Sequence, residues 1–341
     1  MYKKLADALG DTDWDRFHSY GKRVRSLKFD ERLTYRNDLD TPDLDFTVMG
    51  VVCLRHPFGG VLLPNLRKLH WISDAEGSAL AILPFLSGEL GQLDLQMSTY
   101  ATSTANDVLK AIAERAPTLV TFSLGTKLPK VFVEKALMGL LQTTGSLEKI
   151  LLPPDYLTPA LIQILGSLPK LKEIDEGPRL PYPRHSPGVL PPLHPGAFPH
   201  LTNITFSATL PDARKFLFAS QEIASRLQFA KALPKLEALA IFLGEQEAQP
   251  LADNFCPQYQ FQNLTELHVG LSYVPGGPRP QVGAYIASLC KIRPFIECGA
   301  TEWHIGEIPR DWANTETAWK EVEEAVGLAM KVKQTGLQNL V

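Results

Sequence analysis

Proton transfer, metal binding and nucleophilic attack need carboxylates, histidines and cysteines, so these residues are the place to look for chemistry. The acid pairs Asp11/Asp13 and Asp43/Asp45 have the closeness that shared acid–base work requires, but they lie in polar, turn-like surroundings and read as solvated helix starts. The four cysteines, Cys53, Cys256, Cys290 and Cys298, form no Cys-x-x-Cys pair, and the eight histidines are scattered. Zinc ligation needs clustered ligands, so the cysteines read as buried apolar thiols in a reducing compartment. There is no Gly-x-Ser-x-Gly elbow, no His-Glu-x-x-His and no dinucleotide fingerprint after a strand. The run Pro275–Pro280 lacks the Lys-Ser/Thr end of a phosphate loop. The chain is therefore expected to have no catalytic residues, no metal and no cofactor.

The pattern that does recur is structural. An apolar residue, two variable residues, a second apolar residue, one variable residue and a third apolar residue form a phrase. It appears at Leu66…Leu69…Trp71, Leu90…Leu93…Leu95, Leu119…Phe122…Leu124, Leu147…Ile150…Leu152, Leu201…Ile204…Phe206, Leu236…Leu239…Ile241 and Leu264…Leu267…Val269. Weaker copies are Val24…Leu27…Phe29, Leu171…Ile174 and Ala300…Trp303…Ile305. Most starts lie 24–30 residues apart, close to the period of about 20–29 residues of leucine-rich repeats. Side chains alternate along a strand, so the second and third apolar residues face a core and the residues between them face out. Pro64, Pro117, Pro169, Pro199 and Pro234 precede their phrases by two residues; proline ends one segment and opens the next strand.

Helical patterns fill the intervals: Ala105–Arg115, Val131–Gln142, Thr158–Leu165 with a Thr-Pro start, Ala213–Ala230 and Gln281–Lys291. Strand and helix in short alternation predict parallel strands joined by helices. The expected fold class is α/β, a leucine-rich-repeat solenoid with a curved parallel sheet on the concave face and helices on the convex face. Residues 1–22 are expected to be an N-terminal helical cap carrying Trp14, Phe17 and Tyr20. Residues 23–310 form the solenoid, with an insertion at 177–200 that holds eight prolines. Residues 311–341 form a C-terminal capping helix with Trp319, Val322, Val326, Ala329 and Met330 on one face.

The net charge of −3 offers no footprint for nucleic acid. No apolar run reaches about 18 residues and no secretory signal stands at Met1, so a cytoplasmic or nuclear location and no membrane contact are expected. A repeat array of this kind recognises proteins. On the alternation, the outward positions are Lys68 and His70, Gln92 and Asp94, Thr121 and Ser123, Lys149, Glu173 and Asp175, Asn203 and Thr205, Glu266 and His268, and Glu302 and His304. A protein partner on this face of a monomeric chain is the expected mode of binding, over about 800 Å² per side.

Three segments resemble a known family. Trp14-Asp15-Arg16-Phe17-His18-Ser19-Tyr20-Gly21-Lys22-Arg23-Val24-Arg25-Ser26-Leu27 is similar to the segment that follows the F-box in fungal F-box proteins with leucine-rich repeats. Leu62–Trp71 and Pro84–Leu90 resemble their next two strands. The resemblance spans about residues 12–310. It implies the substrate-binding arm of a Skp–cullin–F-box ubiquitin ligase. It implies binding of the Skp adaptor only if an F-box exists upstream, since thirteen residues precede Trp14. The alternative is a stand-alone repeat scaffold with no ubiquitin link.

Overall fold

Each strand begins at a turn built around the residues just before it. In Leu63-Pro64-Asn65-Leu66 the Leu66 N–H donates to the Leu63 carbonyl at 3.1 Å, and Leu201 with Phe198 and Leu236 with Leu233 repeat the bond at 3.3 and 3.2 Å. Proline occupies the second position of all three turns, where its locked φ is already correct. The chain is then handed to its neighbour by one carbonyl that accepts two N–H groups. Arg67 O receives Gly91 and Gln92, Gly91 O receives Val120 and Thr121, and Val120 O receives Glu148 and Lys149. Lys172 O, Thr202 O and Glu237 O do the same for Asn203, Ala238 and Glu266 and the residues before them.

The computed structural model describes residues 11–34, 61–74, 76–97, 102–154, 156–177, 197–208, 233–243, 260–270, 279–298 and 312–335. The chain divides into two units, Met1–Pro153 and Pro154–Val341. In the first, the elements are α1 (Asp11–Gly21), β1 (Ser26–Asp30), α2 (Glu31–Thr34), β2 (Lys68–Ser73), α3 (Glu76–Leu80), a 3-10 turn (Leu83–Phe85), β3 (Gln92–Met97), α4 (Thr102–Arg115), β4 (Thr121–Thr126), α5 (Lys130–Thr143) and β5 (Lys149–Leu152). Strands β1 to β5 pair in chain order, every pair parallel. The second unit holds α6 (Pro159–Ser167), β6 (Glu173–Glu176), β7 (Asn203–Ala208), β8 (Ala238–Leu243), β9 (Glu266–Gly270), α7 (Arg279–Leu289), β10 (Phe295–Cys298) and α8 (Trp312–Gln334). Strands β6 to β10 likewise pair in chain order and in parallel. Each unit is thus an α/β structure in which a parallel strand is reached by a crossover.

The apolar phrase supplies the core. Leu69, Leu93, Phe122 and Ile150 stand in register across β2–β5, and Trp71, Leu95 and Leu124 form the next row; all are at most 1 % exposed. Leu27 and Phe29 on β1 are half-buried. Ile204, Leu239, Leu267 and Ile296 make the matching row of the second unit, all buried. The helices close over these rows through Val108, Leu109 and Ile112 on α4 and Val133, Leu137 and Leu140 on α5. Helix α6 starts as its sequence dictates: Thr158 caps it by accepting the Leu161 N–H at 3.3 Å, with Pro159 in the first turn.

Two buried groups show what the core demands around these rows. Glu31, 1 % exposed, accepts the Asp74 N–H at 2.5 Å and the Ser78 hydroxyl at 2.6 Å. A charged carboxylate tolerates that burial because donors replace its lost water. Phe198 adopts φ 53, a left-handed backbone that costs an L-residue about 1–2 kcal/mol. Its ring is buried against Gly166, where an added Cβ would lie 3.4 Å from it.

Several expectations change. The tenth strand is Phe295–Cys298, and the phrase at Ala300…Trp303…Ile305 lies outside the described residues. The strand was hidden because Arg293 and Cys298 stand near the outer apolar positions, leaving only Ile296 as a signal. The aromatic stripe of α1 does not bury as a face: Trp14 is 8 % exposed, but Phe17 is 38 % and Tyr20 56 %. Helix α8 begins at Trp312, within the segment expected to cap the chain, and buries Trp319, Val322, Val326 and Met330. The helix expected at 213–230 and residues 178–196 of the proline-rich stretch lie outside the described residues. Among the described residues no helix is long and apolar enough to cross a membrane.

Candidate functional site

The parallel registers place the outward side chains in rows. In the first unit one row runs Ser26, Lys68, Gln92, Thr121, Lys149, and the next runs Lys28, His70, Asp94, Ser123, Leu151. In the second unit the rows are Glu173, Asn203, Ala238, Glu266, Phe295 and Asp175, Thr205, Ala240, His268, Glu297. Every one of these side chains is exposed or half-exposed, in contrast to the buried rows behind them. Thirteen of the fifteen residues picked from the phrase fall on these rows: Lys68, His70, Gln92, Asp94, Thr121, Ser123, Lys149, Glu173, Asp175, Asn203, Thr205, Glu266 and His268. The remaining two, Glu302 and His304, lie outside the described residues.

Sequence reasoning missed the outward positions of the end strands: Ser26, Lys28 and Asp30 on β1, and Phe295 and Glu297 on β10. The signal available was the period itself, since Phe295 follows Glu266 by the interval that separates the other rungs.

In the first unit His70 Nδ1 lies 2.6 Å from Asp94 Oδ2 across neighbouring strands. A carboxylate accepts, so that nitrogen carries the proton. Asp94 Oδ1 is shielded from solvent and has no hydrogen-bond partner among the described residues. Ser123 is next in the row, so hydroxyl, carboxylate and imidazole share a face. Their order is wrong for nucleophile activation, which needs the imidazole between the other two. With strands about 4.8 Å apart, Ser123 and His70 are two strand spacings from each other.

In the second unit His268 bridges two carboxylates. Its Nδ1 lies 2.6 Å from Glu297 Oε2 and its Nε2 3.3 Å from Glu266 Oε2. Both contacts become hydrogen bonds only in the imidazolium form, because both carboxylates accept. The two faces differ in charge. The first unit carries Lys28, Lys68 and Lys149 on its two rows against Asp94. The second carries Glu173, Asp175, Glu266 and Glu297 on its rows and no lysine or arginine among the described residues.

The described cysteines differ in burial. Cys290 is buried, and burial pushes its thiol up to about 12, with Lys333 opposing the shift. Burial, then the Glu316 charge, also raise the half-exposed Cys298. Cys53 and Cys256 lie outside the described residues. At pH 8 a thiol near 12 is about one part in ten thousand thiolate, against about a quarter for an ordinary cysteine near 8.5. Cys290 is therefore expected to resist iodoacetamide at pH 8 by about a thousandfold relative to the urea-unfolded chain, read by peptide mass spectrometry. The neutral thiol is the form the fold favours. Its contribution to stability is full below about pH 8.5 and declines as pH rises towards 12. Among the described residues no group of three histidines, cysteines or carboxylates is placed to hold a metal ion.

Compared with known proteins, the chain matches no protein-family model and no curated protein.

Proposed function

We propose that this chain is a protein-recognition module whose outward strand rows hold a partner protein. The observation that carries the reading is the division of each strand: one side buried and apolar, the other a set of in-register, mostly polar rows whose side chains stay exposed or half-exposed. The reading takes the rungs of both units as leucine-rich repeats of a solenoid, with the strands on the concave side and the helices on the convex side. The shared turn and the doubly accepting carbonyl at successive strands support it. So does a side-chain bond made alike in both units: Asn65 Nδ2 donates to Lys22 O at 2.8 Å and Asn263 Nδ2 to Pro234 O at 2.7 Å, in each case reaching back one rung. By resemblance to F-box proteins with leucine-rich repeats, the partner is a substrate delivered to a Skp–cullin–F-box ubiquitin ligase.

The experiment is affinity capture with the full chain, identification of the retained protein, and titration of that protein, purified, against variants. Lys68→Glu with Gln92→Ala on the first face, and Glu266→Ala with Thr205→Ala on the second, are expected to weaken binding tenfold or more. Lys135→Glu, exposed on α5, is expected to leave it within twofold. Equal loss from the α5 variant, or none from either strand-face pair, removes the reading. The ubiquitin link is tested separately: the Skp adaptor is expected to co-purify with the chain only when an F-box segment precedes it.

A further inference from the structure

Three features meet on the outward side of β8–β10. The Phe295 ring is 60 % exposed on a face that is otherwise polar or small. Glu266 stands in register beside it, and Glu297 stands two residues along its own strand, in register with His268. Both carboxylates are open to solvent, 53 % and 44 % exposed. On the far side of β9 the register partners of Glu266 and His268 are Ala238 and Ala240. These end at Cβ, so the face drops beside the acidic pair. The His268 nitrogens lie 3.3 Å from Glu266 Oε2 and 2.6 Å from Glu297 Oε2, so the two carboxylates stand on either side of one imidazole.

An arginine side chain uses all of these at once. Its guanidinium plane stacks over an aromatic ring as a cation. Its forked N–H groups match a carboxylate in a way no other side chain does. Its aliphatic stem lies along small apolar residues while the head stays polar. An ammonium reaches one carboxylate but has no fork and is more strongly hydrated. A neutral or acidic segment brings no cation to two carboxylates. Arg293, two residues before Phe295 in the chain, is engaged elsewhere: its guanidinium lies over Gly327 of α8, with Nη2 3.9 Å from Glu323.

We propose that Phe295, Glu266, Glu297 and the Ala238/Ala240 step form a subsite for an arginine side chain presented by an exposed basic segment of the partner protein. The inference rests on the recognition reading above and gives it a ligand chemistry. Aromatic and arginine side chains are the usual anchors of such contacts, and Phe295 is the exposed aromatic of these rows.

The test titrates N-acetyl-arginine N-methylamide into the isotope-labelled full chain and follows backbone amide shifts by NMR. The lysine and citrulline counterparts serve as probes of charge and shape. Saturable shifts are expected at Glu266, His268, Phe295 and Glu297 with arginine, weaker ones with lysine, and none with citrulline, which keeps the shape and lacks the charge. Phe295→Ala and Glu266→Gln, both at exposed positions, are expected to weaken the arginine probe by about threefold to thirtyfold with unchanged thermal melting. Matching responses to arginine and citrulline, or full binding by Phe295→Ala, overturn the proposal. A captured partner that is lost from the strand-face variants but binds Phe295→Ala and Glu266→Gln normally overturns it while leaving the recognition reading standing.

Discussion

Trp71→Ala is expected to lower the stability of the first unit by about 3–5 kcal/mol, the range for removing a large buried aromatic. Trp71 is 1 % exposed. Its ring centroid lies 4.2 Å from Phe29 of β1 and 5.5 Å from Phe85 of the 3-10 turn. Its indole Nε1–H donates to the Ser78 carbonyl at 3.1 Å. The Ser78 hydroxyl in turn serves the buried Glu31, so one side chain ties β1, β2, α3 and the turn together. Removing it leaves a cavity and takes away the indole donor to the Ser78 carbonyl. At about 2–4 °C per kcal/mol for a unit of this size, the melting midpoint falls by roughly 6–20 °C. Trp71→Phe keeps most of the volume and loses the hydrogen bond, and is expected to cost about 1–2 kcal/mol. Hydrogen exchange should show the amides of β1 and α3 opening first. A loss below 1 kcal/mol for the alanine variant, by urea unfolding, would mean the aromatic cluster is not what binds these elements.

The second large effect is expected at Gly283 on α7. A Cβ built there would lie 2.5 Å from Ala325 Cβ, 2.9 Å from Val322 O and 3.0 Å from Val326 N of α8. Two of the three are backbone atoms, so no side-chain rotation relieves the clash and the helices must move apart. Overpacking of this kind costs about 1–3 kcal/mol; alanine recovers about 1 kcal/mol of helix propensity over glycine, whereas valine recovers less and adds two methyl groups. Gly283→Val is therefore expected to destabilise the second unit by about 3 kcal/mol and Gly283→Ala by about 1 kcal/mol. Adding Ala325→Gly to Gly283→Ala removes the shortest contact, and the pair should be coupled by more than 0.5 kcal/mol in a double-mutant cycle. Gly139 on α5 provides the contrast: nothing lies within 4 Å of its built Cβ, so Gly139→Ala is expected to stabilise by about 0.5–1 kcal/mol. If both glycine-to-alanine variants stabilise alike, the close approach of α7 and α8 is not a constraint.

The rungs were legible in the sequence wherever all three apolar positions of the phrase survive, as in Leu90…Leu93…Leu95, because burial on one side of a strand leaves a period of two. The proline turns at Pro64, Pro199 and Pro234 were legible for the same local reason. The tenth rung was not: Arg293 takes the first position because it lies over Gly327 of α8, a contact made 34 residues away in the chain. The α1 stripe misled because spacing reports which residues share a helix face, not whether a partner covers that face. On the outward rows, sequence alternation found which residues point out. It could not find the His268 bridge to Glu297, or the Phe295 beside Glu266, because both depend on a strand whose phrase is eroded.

The turn and the doubly accepting carbonyl at the heads of β2–β5 and β7–β9 also bear on how such a protein can change. Both devices act within a few residues of the strand and set its register without help from whatever chain separates one rung from the next. The β7–β8 interval, from Asn203 to Ala238, is longer than the β2–β3 interval, from Lys68 to Gln92, yet both end in parallel, in-register pairing. Lengthening a flexible connection costs only about 0.6 kcal/mol per doubling. Segments between rungs are thus free to accept insertions, and novelty in this architecture can accumulate there while the ladder's alignment is inherited unaltered.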